Sequence, residues 1–197
     1  KITGVPCCAA CQYGRQTRKS RPGVYGKTVQ DNVEGLTSGA SHSGELISVD
    51  HFLCSTKGRL FGSHGKTSEE SMYDGGALFI DHSSGLVHVE FQTHLTSHET
   101  MKAKERFEER CRDDGVTCVK YLSDYGTAFT SRSYTEMLAK FHQITHFAGV
   151  GAHHSNGKAE RAIRTILTVA RTMMLHAAVH WPETADPTLW PMAVQHA

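Results

Sequence analysis

The sequence predicts an α/β fold, a mixed five-stranded sheet flanked by helices. Three observations predict it. Short apolar runs of strand length recur between polar turns, and two stretches carry helical periodicity. The elements also follow one another in the order β-β-β-α-β-α-β-α. At 197 residues the chain suits one domain with a proper core plus an appendage. Hydrophobic residues are 39% and charged residues 21%, a globular profile rather than that of a disordered tail. No apolar run approaches the roughly 20 residues that span a bilayer, and no secretory leader opens the chain, so no membrane partner is expected. The chain opens at Lys1 and closes at Ala197 within an expected helix, and it reads as an interior piece of a longer polypeptide.

Residues 1–15 are Cys-rich and resemble the end of a small metal module, and 16–43 form a Ser-, Gly-, Thr- and Arg-rich linker. The folded core is expected over 44–197. Leu46, Ile47, Val49 and Phe52 mark a buried first strand ending near Asp50. A polar loop follows to Gly76. Ala77 to Ile80 and Leu86 to Phe91 are the second and third strands, joined by the turn Asp81-His82-Ser83-Ser84-Gly85. Ser97 to Asp114 is a helix with Ser97 as its cap candidate and Ala103, Phe107 and Cys111 along one face. Gly115 stops it. Val116 to Leu122 is the fourth strand, ending at Ser123-Asp124. A short helix over Ser133 to Phe141 and a strand over Ile144 to Phe147 come next. A Gly- and His-rich loop then opens a long helix from Lys158 to Ala178, with an apolar stripe of Ala162, Ile163, Ile166, Val169, Ala170 and Met173. This order describes a ribonuclease H-like fold.

Three acids stand out within that topology: Asp50 ending the first strand, Asp124 ending the fourth, and Glu160 in the first turns of the long helix. The first and fourth strands are parallel neighbours in such a sheet, so Asp50 and Asp124 meet at one edge, where the helix can present Glu160. Clustered carboxylates repel unless a cation neutralises them, which points to hard divalent metal. Two Mg²⁺ ions (or Mn²⁺) at such a cluster suit in-line phosphoryl transfer. Asp81 also ends a strand, but the second strand runs antiparallel to the first and carries it to the far end of the sheet.

Between Asp124 and Glu160 lie 35 residues, the D,D-35-E spacing of retroviral-type integrases. The local strings agree: Tyr121-Leu122-Ser123-Asp124-Tyr125-Gly126 with Phe129, then His154-Ser155-Asn156-Gly157-Lys158-Ala159-Glu160-Arg161. Downstream, Ala170-Arg171-Thr172-Met173-Met174-Leu175-His176 and Leu189-Trp190-Pro191-Met192-Ala193 resemble the copia-type branch of LTR retrotransposons. The resemblance covers essentially the whole chain. It implies a DNA integrase, a polynucleotidyl transferase with endonuclease capability, in which Asp50, Asp124 and Glu160 are the catalytic, magnesium-binding triad. It further implies that Asn156 and Gly157 shape the loop before the glutamate helix, and that Arg164, four residues beyond Glu160, lies against the element's DNA end. Asn156, Lys158 and Arg161 join Arg164 as expected DNA contacts, and a solvated helix arginine is the plainer reading of Arg164. Where the family usually has Asn after the second Asp, this chain has Tyr125.

The same resemblance gives Cys8 and Cys11 as the second half of a His-His-Cys-Cys zinc module whose His pair would lie upstream; Cys-x-x-Cys lets two thiolates reach one Zn²⁺. Completion by His42, His51 or His64 is the other way to fill that site, and His153-His154 reads as loop structure or DNA contact. Six Cys in this pattern are no disulfide framework, so a reducing compartment is expected. Net charge is only +1, yet Arg15, Arg18, Lys19, Arg21 and Lys27 form a basic stretch that either tracks phosphates or is a solvated linker. The expected partners are element DNA ends, target DNA and further copies of the chain, and the expected compartment is the nucleus. A cut-and-paste transposase of the same fold and a catalytically inactive DNA-binding copy are the competing readings.

Overall fold

A computed structural model describes residues 8–16, 40–63, 72–148 and 156–197. Its centre is a five-stranded sheet built from β1 (Leu46–Gly58), β2 (Tyr73–Asp81), β3 (Val87–Gln92), β4 (Lys120–Ser123) and β5 (Ile144–Phe147) in the order β3-β2-β1-β4-β5. β1–β2 and β2–β3 pair antiparallel, whereas β1–β4 and β4–β5 pair parallel. The sheet is therefore mixed, as expected.

The first two strands are longer than their apolar runs. β1 continues to Gly58 through the exposed Ser55-Thr56-Lys57, and β2 starts at Tyr73 because Gly75 and Gly76 pair with Leu53 and Phe52. Glycines usually signal a turn, but here close approach requires one: a Cβ on Gly75 would stand 1.9 Å from the Phe52 carbonyl oxygen. β4 is shorter than its run, whose start is held back by the Val116 N–H on the Cys111 carbonyl (2.8 Å).

Among the described residues six α-helices accompany the sheet: α1 (Ala9–Gly14), α2 (Ser97–Asp113), α3 (Thr127–Thr130), α4 (Arg132–Lys140), α5 (Gly157–His180) and α6 (Trp190–Gln195). The cap of α2 is Thr96, not Ser97; its hydroxyl accepts from the Glu99 N–H at 3.3 Å. The Glu99 carboxylate folds back onto the Thr93 N–H and hydroxyl and the His94 N–H. Ala103, Phe107 and Cys111 of α2 are buried as their spacing predicts. They pack with Ile47, Val49, Phe79, Tyr121, Phe129, Tyr134 and Leu138 on one face of the sheet. Each large side chain so buried contributes roughly 1.5–3 kcal/mol.

The opposite face is covered by α5 and α6. Phe52, Ala170, Trp190, Ala193 and Val194 form its centre, with Ile163, Ile166, Leu167 and Met174 packed against them. Two members of the expected stripe, Val169 and Met173, are instead exposed, at 37% and 39%. Only a narrow strip of the helix is covered, with Ala159 and Ala170 its buried residues. By length and composition alone α5 could cross a membrane. Little of it is buried: Ala170 packs fully into the cluster over the sheet, and Ile163 and Ile166 are partly buried against it. Helix α1 also docks on α5, with Ala10 buried and Gly14 so close that a Cβ would meet the Thr172 hydroxyl at 2.1 Å.

Candidate active site

Register brings the two aspartates together, although the first strand does not end near Asp50 as expected: Asp50 lies within β1, and Asp124 directly follows β4. The last parallel pair of β1 and β4 is Ser48 with Leu122, two residues before Asp50 and Asp124 respectively. Ile47 and Tyr121 point into the α2-side core, so alternation places Ser48, Asp50, Leu122 and Asp124 on the α5 side. Asp50 is half-buried and its Oδ1 accepts from the His51 N–H at 2.8 Å. Asp124 is exposed, and its Oδ1 accepts from the Gly126 N–H at 3.0 Å, which curls the chain into a tight turn.

The charges of the cluster act on Asp50. Burial, then the negative charge of Asp124, push the Asp50 carboxyl up to about 6; Glu160 adds to this and the His51 N–H opposes it. All the donors are carboxylate oxygens, the chemistry that suits Mg²⁺ or Mn²⁺ rather than a soft metal. A carboxyl crowded by two further carboxylates in this way fits a divalent cation. Among the described residues, no three Asp, Glu, His or Cys side chains are already gathered into a metal-binding group. Asp50 and Asp124 are brought near each other, and Glu160, exposed in the first turn of α5, is close enough for its charge to act on Asp50.

Helix α5 is fastened beside Asp50 by contacts that local sequence does not reveal. Asn156, fully buried, donates its Nδ2 to the Val49 carbonyl at 3.1 Å. Lys158 Nζ donates to the His82 carbonyl at 3.2 Å, and the His82 ring lies 2.7 Å from the Ser48 hydroxyl. Burial first, and then the nearby Lys158, lower the His82 imidazole to about 4, which leaves it neutral. His82 was legible only as part of a turn, and its contact with β1 comes from the strand pairing. His51, on the other face, stacks on Phe129 at 4.5 Å and bonds the Thr100 hydroxyl at 3.0 Å; burial lowers it to about 4. It supports the floor of the site.

Asp81 lies opposite Ile47, three residues from the Asp50 level, at the far end of the pairing as expected. Burial would raise its carboxyl, but donors from Ser84, Gly44 and Ser83 outweigh that and hold it below the usual range. Arg161 and Arg164 are exposed on α5. Arg161 and Lys158 rim a cleft of about 280 Å³ floored by Ile80, Val87, Ala162 and Ile166. Tyr125 is exposed and stacks on Phe147 at 5.2 Å.

Cys8 and Cys11 are neighbours at the start of α1, with their thiols hydrogen-bonded to each other. His42 bonds Ser41 and Glu45, and His51 is engaged as above, so neither supplies a third ligand. Cys7, His64, His153, His154 and the basic residues Arg18, Lys19, Arg21 and Lys27 lie outside the described residues.

No protein-family model matches the chain, and no curated protein matches it. Among solved structures, the chain is similar to one in the simian T-cell lymphotropic virus intasome in complex with PP2A regulatory subunit B56 gamma. The TM-score is 0.54 at 14% identity, covering 77% of this chain and 47% of that one. It is also similar to the catalytic core domain of BIV integrase, with a TM-score of 0.50 at 14% identity, covering 77% of this chain and 81% of that one. The chain spans about half the length of the intasome chain. Its architecture is the ribonuclease H-like fold of integrase catalytic cores.

Proposed function

We propose that the chain is the catalytic core of a copia-type LTR-retrotransposon integrase, a metal-dependent polynucleotidyl transferase that joins element DNA ends to target DNA. The observation that carries this reading is that Asp50 and Asp124 each follow the last parallel pair of β1 and β4 by two residues, with the Glu160 helix fastened beside β1 and both other carboxylates acting on Asp50. The 35-residue spacing and the integrase-core fold support it.

Asp50, Asp124 and Glu160 would hold two Mg²⁺ or Mn²⁺ ions. When bound, such ions supply charge stabilisation for the attacking 3′-hydroxyl and the departing 3′ oxygen of an in-line displacement. The protein's own part is positioning. The strand register fixes the two aspartates, and Asn156 and Lys158 fix the start of α5 and with it Glu160. Arg164, on the same helix face as Glu160, would contact the phosphates of the element end. No covalent protein intermediate is needed. With water in place of the 3′-hydroxyl, the same carboxylates would serve end trimming or nicking. The working form would be a multimer of this chain on two DNA ends in the nucleus, with zinc held by Cys8 and Cys11 in an intact amino-terminal module.

The test is a disintegration-type assay with Mg²⁺ or Mn²⁺, comparing the chain with Asp124→Asn. Product is expected from the parent and a loss of at least 100-fold from the variant. Equal product from both eliminates the enzymatic reading and leaves a DNA-binding copy.

A further inference from the structure

His176 and His180 stand one helical turn apart at the carboxyl-terminal end of α5. They are 16 and 20 residues past Glu160, or roughly 24–30 Å along the helix axis. Both are exposed, and their rings already lie together, with centroids 4.0 Å apart and planes inclined by 30°. Residues four apart on a helix have Cβ atoms about 5–6 Å apart on one face, which lets two imidazoles reach one ion at roughly 2.0–2.1 Å.

The hydrogen bonding prepares one of them. His180 Nδ1 lies 2.9 Å from the His176 carbonyl oxygen. A carbonyl can only accept, so Nδ1 carries the proton and Nε2 keeps its lone pair. Fixing an imidazole through its other nitrogen in this way is the usual support for a metal-ligating histidine. The location adds a second contribution, because unpaired carbonyls give a helix carboxyl end a partial negative charge that favours a cation. Neither ring takes part in an ion pair among the described residues.

We propose that His176 and His180 form a two-imidazole site for a divalent transition cation of the Cu²⁺, Ni²⁺ and Zn²⁺ class, with water completing the coordination. The donor chemistry separates it from the carboxylate edge: imidazole nitrogen suits these borderline cations, whereas Mg²⁺ requires oxygen. With two protein ligands the site is open and exchangeable. The site does not depend on the integrase reading, since neither histidine belongs to that machinery.

The neighbouring indole makes the site observable. Trp181 is 59% exposed, with its ring 6.1 Å from that of His176 and 5.8 Å from that of His180. The other tryptophan, Trp190, is buried with its indole N–H on the Thr56 carbonyl at 2.8 Å. The experiment uses the whole chain carrying Cys7→Ser, Cys8→Ser and Cys11→Ser to remove the amino-terminal thiols, in excess Mg²⁺ so that carboxylates do not compete. Cu²⁺ quenching of tryptophan fluorescence and calorimetric titration with Ni²⁺ are compared with His176→Asn and His180→Asn, with far-ultraviolet dichroism confirming the helix. One ion per chain is expected, with Cu²⁺ bound more tightly than Ni²⁺ and at least ten-fold weaker binding in either variant. Affinity unchanged by both substitutions, or displacement of the ion by Mg²⁺, overturns the proposal.

Discussion

Asp50 shows at the level of one side chain how stability and chemistry oppose each other. Its carboxyl is pushed up to about 6 by burial and by two like charges, so its ionised form destabilises the metal-free fold at neutral pH. The folded state then holds the proton more tightly than the unfolded state, and the destabilisation fades as pH falls from about 6 towards 4. Asp50→Asn is expected to raise stability by about 1–3 kcal/mol at pH 7.5 in EDTA while abolishing strand transfer. Urea denaturation at pH 7.5 and 4.5 checks this, with the gain shrinking at the lower pH. A buried network elsewhere behaves oppositely. Glu108 accepts from Lys104 Nζ (2.6 Å), Tyr121 hydroxyl (2.6 Å) and Gln143 Nε2 (2.5 Å) beneath β4. Burial lowers the Lys104 ammonium, and Glu108 restores part of the loss. Glu108→Leu strands three donors at once, and a cost of about 3–5 kcal/mol is expected. Lys104→Met leaves Glu108 two donors and should cost less, a ranking that denaturant midpoints can read.

At the level of elements, the extended half of β1 and the terminal helix α6 depend on each other. Trp190 fills the space beside Phe52 and Phe91, with ring centroids 6.2 and 5.8 Å away, and ties its indole to Thr56. Arg59 and Asp186 close the same corner at 2.6 Å. Trp190→Ala is expected to cost about 3–5 kcal/mol, and Trp190→Phe distinctly less because most of the packing survives. Thermal melts of the two variants provide the check. The polar Ser55-Thr56-Lys57 run spans the register shift between Leu53 and Gly58 and is held by the Trp190 indole on the Thr56 carbonyl, which no local period announces. Asn156 illustrates the same limit at the other end of α5. Its position before the glutamate helix was readable, but its partner, the Val49 carbonyl, is 107 residues away in the chain. The apolar stripe of α5 was readable too, and only contact with the sheet selected Ile163, Ile166 and Ala170 over Val169 and Met173.

Across the whole molecule the net charge is only +1, so any grip on DNA must come from where cations are placed. Lys158, Arg161, Arg164 and Arg171 are exposed along α5, and Lys158 shares its ammonium with the His82 carbonyl. Arg164→Ala is expected to weaken duplex DNA binding uniformly across sequences and to reduce the slope of log affinity against log salt by about 0.9. Fluorescence anisotropy over a salt series measures it; an unchanged slope makes Arg164 a solvated residue. The sequence by itself determined the order of the five strands and of the helices α2, α4 and α5 among them, though not α1 or α3, together with the exclusion of Asp81 and the candidacy of Asp50, Asp124 and Glu160. Those features follow from side-chain period and from the direction in which neighbouring strands run. Tertiary structure alone decided the length of β1, the docking of α1 on α5, and the fastening of the glutamate helix through His82 and Asn156. Each of these depends on groups distant in sequence meeting in space, and a local pattern of residue types carries no record of that meeting.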